Sequence, residues 1–290
     1  MPWKEILEAY YWDNLGVAME LAEDVGVGFN GSYLAMFRMI EAENMTRDSS
    51  EFSDRGDWLL LEHVPEFTNR SLEEIELVVR HSCDQVADDF GWQHGPAVLF
   101  SFLHPAADAP YIPGRAGFFV DKYPFDKVCL PTHLVQQPEL LTGAIRHEYS
   151  HAMALNRSQG RCPNWLHEAI AMTAQYNGAV KMASPQRWVD PKALGRAFRH
   201  ERISEVGGRI VGDAYRQAHV IGAYLVSLKG RRGLGEVLDA FVDNSFAKNL
   251  FMEATGQVPE VEAIKQVYGL SLKDIWKEAQ LWHNRSSASP

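Results

Sequence analysis

Three cysteines in 290 residues are too few to build a disulfide framework. Cys83, Cys129 and Cys162 are odd in number, and no two of them stand in a C-x-x-C pair. That argues against a thiolate zinc site and predicts a reducing compartment. No apolar run approaches the roughly 20 residues that a membrane-spanning helix needs. The N-terminus, Met1-Pro2-Trp3-Lys4-Glu5, is polar and leads into acidic residues, unlike a secretory leader. These absences predict a cytoplasmic protein with no membrane partner. Positive charge is also scarce. Lys and Arg total 28 against 38 Asp and Glu, a formal net charge of -10. Without basic clusters interleaved with aromatics, nothing suggests nucleic-acid binding. There is no internal repeat and no low-complexity tract.

What is present suffices for a folded enzyme. Hydrophobic residues make up 46% of the chain, enough for a substantial core. The charge is unevenly spread. Residues 1–57 hold twelve acids against four Lys or Arg. They read as two helices, about Trp3 to Val25 and Ser32 to Ala42, followed by a polar linker from Asn44 to Asp57. Residues 181–209 are the reverse, with seven Lys or Arg against three acids. Two readings follow: the acidic segment docks on this basic stretch and limits access to a cleft, or both are solvated surfaces.

The chemistry concentrates in His147-Glu148-Tyr149-Ser150-His151, an H-E-x-x-H pattern. Residues four apart on a helix share a face, so His147 and His151 can hold one metal ion together. Glu148 can lean over the same site as a general base. The surroundings predict a helix. Pro138 suits its first turn. On a helical wheel Leu140, Leu141, Ala144, Ala152 and Leu155 share the stripe of the motif, with Glu139, Arg146, Tyr149 and Ser150 on the other side. Ionisable groups on an apolar stripe are costly to bury without a partner, and a metal removes that cost for the histidines. A catalytic zinc takes three protein ligands and keeps one position for water. Downstream, Asn164 or Cys162-Pro163 opens a second predicted helix that closes at Asn177-Gly178, and Glu168 sits one turn inside it. His167 competes as a ligand but points about a hundred degrees away.

H-E-x-x-H followed by Trp165-Leu166-His167-Glu168-Ala169-Ile170-Ala171 resembles the gluzincin metallopeptidases, in particular the compact peptidase MA-like domains. Their second motif reads W-L-x-E-G-x-A, so Ala169 departs from the glycine of that pattern. The resemblance covers roughly residues 58–290. It implies a zincin-like α+β fold of two lobes: a small mixed-sheet upper lobe over 58–156 and a helical lower lobe over 157–290, with residues 1–57 as an added N-terminal segment. It implies one Zn²⁺ per chain, held by His147, His151 and Glu168. It further implies an oxyanion donor on a later helix, Asp213 to Leu228, where Ala214-Tyr215-Arg216-Gln217-Ala218 matches the family pattern. Tyr215 is the first candidate and His219 the alternative.

The predicted element order follows the family: a strand at 58–63, a helix from Ser71 to Phe90 closed by Gly91, a strand at 97–102, then strands at 116–120 and 127–130 around a Tyr123-Pro124-Phe125 turn. Ala116 to Val120 is either a substrate-pairing edge strand or an ordinary hairpin arm. Helices are predicted at 234–246, 248–255, 259–268 and 271–282, the last capped by Ser271. The expected activity is peptide-bond hydrolysis, endopeptidase rather than aminopeptidase because no G-x-M-E-N motif occurs. Two alternatives are a catalytically inactive peptidase-like binding protein and a zinc hydrolase of a non-peptide amide.

Overall fold

The computed structural model describes residues 2–25, 32–65, 67, 69–93, 95–105, 117–176, 185–200, 208–243 and 259–288. The helix predicted at 248–255, the Asn177-Gly178 helix end and much of the basic 181–209 stretch lie outside these residues. The chain divides into two compact units, each described by itself. The first comprises residues 1–84, 94–152 and 202–204, and the second residues 85–93, 153–201 and 205–290. Among the described residues the architecture is mixed α and β, with one small sheet.

The first unit contains α1 (Pro2–Tyr11), α2 (Leu15–Asp24), α3 (Ser32–Ser49), β1 (Glu51–Asp54) and β2 (Leu59–His63). It continues with most of α4 (Asn69–Phe90), then β3 (Val98–Leu103), β4 (Phe118–Val120) and β5 (Asp126–Pro131). A short 3-10 helix (Thr132–Gln136) leads into α5 (Pro138–Ser158), whose larger part belongs here. The sheet order is β1-β2-β3-β5-β4. β2, β3 and β5 run parallel, and β1 and β4 are antiparallel edges. Parallel neighbours need a crossover, which α4 supplies between β2 and β3. All six residues of β3 are buried, as expected of a central strand covered on both faces. One face receives α5, whose Tyr149 ring lies 5.6 Å from Trp58 and 6.3 Å from Phe100. The other receives α3, where Ala42 packs with Leu103, Phe118 and Cys129.

The N-terminal residues differ from expectation. The first predicted helix breaks at Trp12–Asn14, where Asp13 takes a positive φ of 53°. The expected linker is structured: α3 runs on to Ser49, and Glu51–Asp54 pairs with β2 as a sheet edge. Residues 2–25 and 32–54 belong to the same compact unit as the sheet. The reason is electrostatic as well as apolar. Glu43 on α3 and Glu62 on β2 are fully buried, and Lys127 on β5 reaches both, at 3.0 and 2.9 Å. Lys122 pairs with Glu43 at 2.7 Å and with Asp13 at 3.0 Å. Arg47 joins Glu62 at 2.5 Å and Asp13 at 2.8 Å. Ser101 and Tyr10 donate hydroxyl hydrogen bonds to Glu62 and Glu43. Three acids and three bases balance within this cluster, so its buried charges compensate one another. Burial alone would raise the Glu62 carboxyl, but Lys127 and Arg47 outweigh it and lower it to about 2. Asp13 and Glu43, two of the acids in the N-terminal excess, thus serve the interior of this unit.

The second unit is helical throughout its described elements: α6 (Asn164–Gln175), α7 (Pro191–His200), α8 (Gly208–Asp243), α9 (Pro259–Tyr268) and α10 (Leu272–Ala288). α8 begins five residues before the expected cap at Asp213 and is interrupted at Gly230 (φ 67°), where the sequence predicted an end. α6 and α8 approach closely: a Cβ on Gly222 would lie 2.8 Å from the Ala169 carbonyl. Trp165 packs edge-on against Trp276, whose indole N–H donates to the Val189 carbonyl at 2.9 Å. Ser271 caps α10 as expected, accepting from the Asp274 N–H at 3.1 Å and donating to the Asp274 carboxylate at 2.6 Å.

Candidate metal centre

The sequence places Pro138 at the start of α5, where its missing N–H costs nothing. From there the helix runs without interruption through the H-E-x-x-H stretch. Burial agrees with the wheel reading for Leu141, Ala144 and Ala152, which are buried on the stripe of the motif, but Leu140 on that stripe is 56% exposed, and Arg146, Tyr149 and Ser150 on the other side are buried as well. The side that carries Tyr149 lies on the sheet, where Trp58 and Phe100 accept its large ring. At a hundred degrees per residue, His147 and His151 then project from the side opposite Tyr149, and Glu148 projects to a flank.

His147, Glu148 and His151 come together. One donor atom from each lies within 4.8 Å of the others. Both histidines are half-buried and Glu148 is buried. The two imidazole rings are 5.1 Å apart and nearly perpendicular. Two imidazole nitrogens beside a carboxylate oxygen form a donor set suited to zinc. They are close enough that one ion could be shared by the two histidines with Glu148 alongside. Among the described residues, no other group of His, Cys, Asp and Glu side chains gathers in this way.

Two further residues frame the group. Gly117, just before β4, has no Cβ where one would sit 3.2 Å from Glu148 Cγ, 3.0 Å from the Cys129 carbonyl and 2.8 Å from Leu130 Cδ2. A side chain here would crowd Glu148, the Cys129 carbonyl and Leu130, so the glycine eases the close approach of the strand. Phe119 on β4 stands 6.2 Å from the His151 ring. The sequence contained the signal, a glycine at the head of a predicted edge strand, but did not tie it to Glu148. β4 is an edge of the sheet.

The other predicted site residues lie in the second unit. Glu168 is half-buried on α6, one turn after Pro163. Its neighbour His167 is also half-buried, with burial pushing its pKa down to about 4. Tyr215 and His219 lie on α8 in different surroundings. Tyr215 is half-buried and packs edge-on against Phe198 at 5.2 Å. His219 is buried, 5.6 Å from the Tyr176 ring, and burial followed by repulsion from His283 lowers its pKa to about 4. It is therefore neutral at pH 7, able to donate one hydrogen bond and accept another. Gln217 between them is structural: it donates to the Val189 carbonyl at 2.7 Å and accepts from the Val189 N–H at 2.9 Å.

No family model and no curated protein matches this chain.

Proposed function

We propose that this chain is a zinc-dependent metallopeptidase of the gluzincin type with a zincin-like α+β fold. One observation carries the reading: His147, Glu148 and His151 gather on one turn of α5, with donor atoms within 4.8 Å. His147 and His151 hold the metal, and Glu168 on α6 completes the ligand set. Zinc bound there supplies Lewis acidity and a water whose pKa is lowered toward 7. Glu148 takes the proton of the attacking water and passes it to the leaving amine. Tyr215 donates a hydrogen bond to the developing oxyanion, with His219 as the alternative donor. The substrate is a peptide or protein, cut internally.

The test begins with zinc per chain in purified, dialysed protein, by elemental mass spectrometry. One zinc per chain is expected. Glu148→Gln keeps that zinc and lowers peptide hydrolysis by roughly 10²–10⁴-fold. Glu168→Ala weakens zinc affinity. A chain that neither contains nor takes up zinc, or a Glu148→Gln variant of full activity, refutes the proposal.

A further inference from the structure

The first unit also carries a group of aromatic side chains that its core does not take in. Trp12 is 55% exposed, Tyr123 54%, Tyr11 42% and Phe125 37%. Tyr11 ends α1 and Trp12 follows it, and Tyr123 and Phe125 lie in the turn between β4 and β5. Trp12 contacts Tyr123 edge-on at 4.8 Å and Tyr11 edge-on at 5.5 Å. Single exposed aromatics are ordinary on a surface, whereas contiguous ones mark contact sites.

The platform is fastened from beneath. The Tyr123 N–H donates to the Tyr11 carbonyl at 2.9 Å. Asp13, next to Trp12, pairs at 3.0 Å with Lys122, next to Tyr123. The Lys122 side chain is 1% exposed and its ammonium lies 3.9 Å from the centre of the Tyr10 ring. The buried ion cluster therefore holds both turns in register. Rings already held in place lose little freedom when a partner arrives.

The charge around the platform selects its partner. Glu5 and Glu8 on α1 and Asp121 beside the turn are exposed, against Lys4 as the one exposed cation of residues 2–13 and 121–126. Ring faces and carboxylates both attract cations, and a guanidinium can stack on one while forking to the other. The same acids repel anionic lipid and nucleic acid. We propose that Tyr11, Trp12 and Tyr123 form a docking surface for an arginine-bearing segment of a partner protein, with Glu8 and Asp121 pairing its guanidinium groups. This surface stands independently of the metal site.

The experiment uses the full chain and fluorescein-labelled hexa-arginine and hexa-lysine peptides, read by fluorescence anisotropy at about 0.15 M salt. Hexa-arginine is expected to bind more tightly than hexa-lysine, which has the same charge but cannot stack. Trp12→Ala and Tyr123→Ala each weaken hexa-arginine about tenfold and erase the preference over hexa-lysine. Circular dichroism establishes that each variant is folded, and Tyr123→Leu serves if Trp12→Ala is not. Equal binding of the two peptides overturns the proposal, as does an unchanged hexa-arginine affinity in the folded ring variants. So does ring-dependent binding of maltohexaose, or of phosphatidylcholine–phosphatidylglycerol vesicles, in place of the arginine peptide. Self-association of the chain that is lost in Trp12→Ala, without peptide binding, overturns it in favour of a second copy as the occupant.

Discussion

Lys127→Met removes the cation at the centre of the buried cluster. The ammonium lies 3.0 Å from Glu43 and 2.9 Å from Glu62, and the side chain is 1% exposed. Without it Glu43 keeps Lys122 and Tyr10, and Glu62 keeps Arg47 and Ser101, but one negative charge is left uncompensated. Breaking a buried ion pair from one side costs about 3–5 kcal/mol. The Glu62 carboxyl gives a second measure. Its fall from 4.5 to about 2 corresponds to on the order of 3 kcal/mol from Lys127 and Arg47 together, net of burial. Because this pKa is depressed, the stabilisation is present in full above about 4.5 and is lost as the pH falls toward 2. Urea titration followed by circular dichroism at a series of pH values is the assay. Lys127→Met is expected to be about 3–5 kcal/mol less stable at pH 7. The gap to wild type narrows below about 4.5, because protonating a carboxylate removes the orphaned charge. The double variant Lys127→Met/Glu62→Gln recovers part of the loss at pH 7. A single variant within about 0.5 kcal/mol of wild type, the range of an ordinary surface change, refutes the reasoning. A gap that does not change with pH refutes it equally.

Under the proposed function, Gly117→Ala, whose Cβ would meet Glu148 Cγ at 3.2 Å, is expected to lower kcat roughly 10–100-fold with KM and zinc content unchanged; kinetics beside elemental analysis check this, and full turnover would show that Glu148 does not depend on the close strand. Gly235→Ala places a Cβ 2.1 Å from the Phe90 carbonyl and 2.7 Å from Arg157, so α8 must shift. A loss of about 1–3 kcal/mol in thermal unfolding is expected, and an unchanged Tm contradicts the contact. Ser271→Ala removes the cap of α10 and should cost about 1 kcal/mol in urea unfolding, whereas Ser271→Asp retains it.

Much of the candidate site was legible because its information is local. Helical spacing brings His147 and His151 onto one face, and Pro138 marks where that helix begins. Strands β2, β3 and β5, the Ser271 cap and the interruption at Gly230 also follow from short-range chemistry. The orientation of α5 was not legible in this way. Both of its sides carry apolar residues, and the choice went to Tyr149 because Trp58 and Phe100, far away in sequence, offered a surface for its ring. Gly117 escaped for the same reason, since a glycine's role depends on what approaches it.

The N-terminal region shows the division most clearly. Residues 44–54 read as a polar linker because their side chains are polar and their periodicity is weak, yet they extend α3 and form an edge strand. Sheet pairing satisfies the β1 backbone, and a strand partner leaves no trace in the polarity of a four-residue segment. The charges of Asp13, Glu43, Arg47, Glu62, Lys122 and Lys127 each read alone as solvent-facing. By itself the sequence determined helices, strands, caps and the His147-Glu148-His151 grouping, because backbone propensity and side-chain periodicity act over a few residues. Only the tertiary structure decided which charges could be buried, because a buried ion needs an opposite charge within a few ångströms, and here those partners lie up to 109 residues apart.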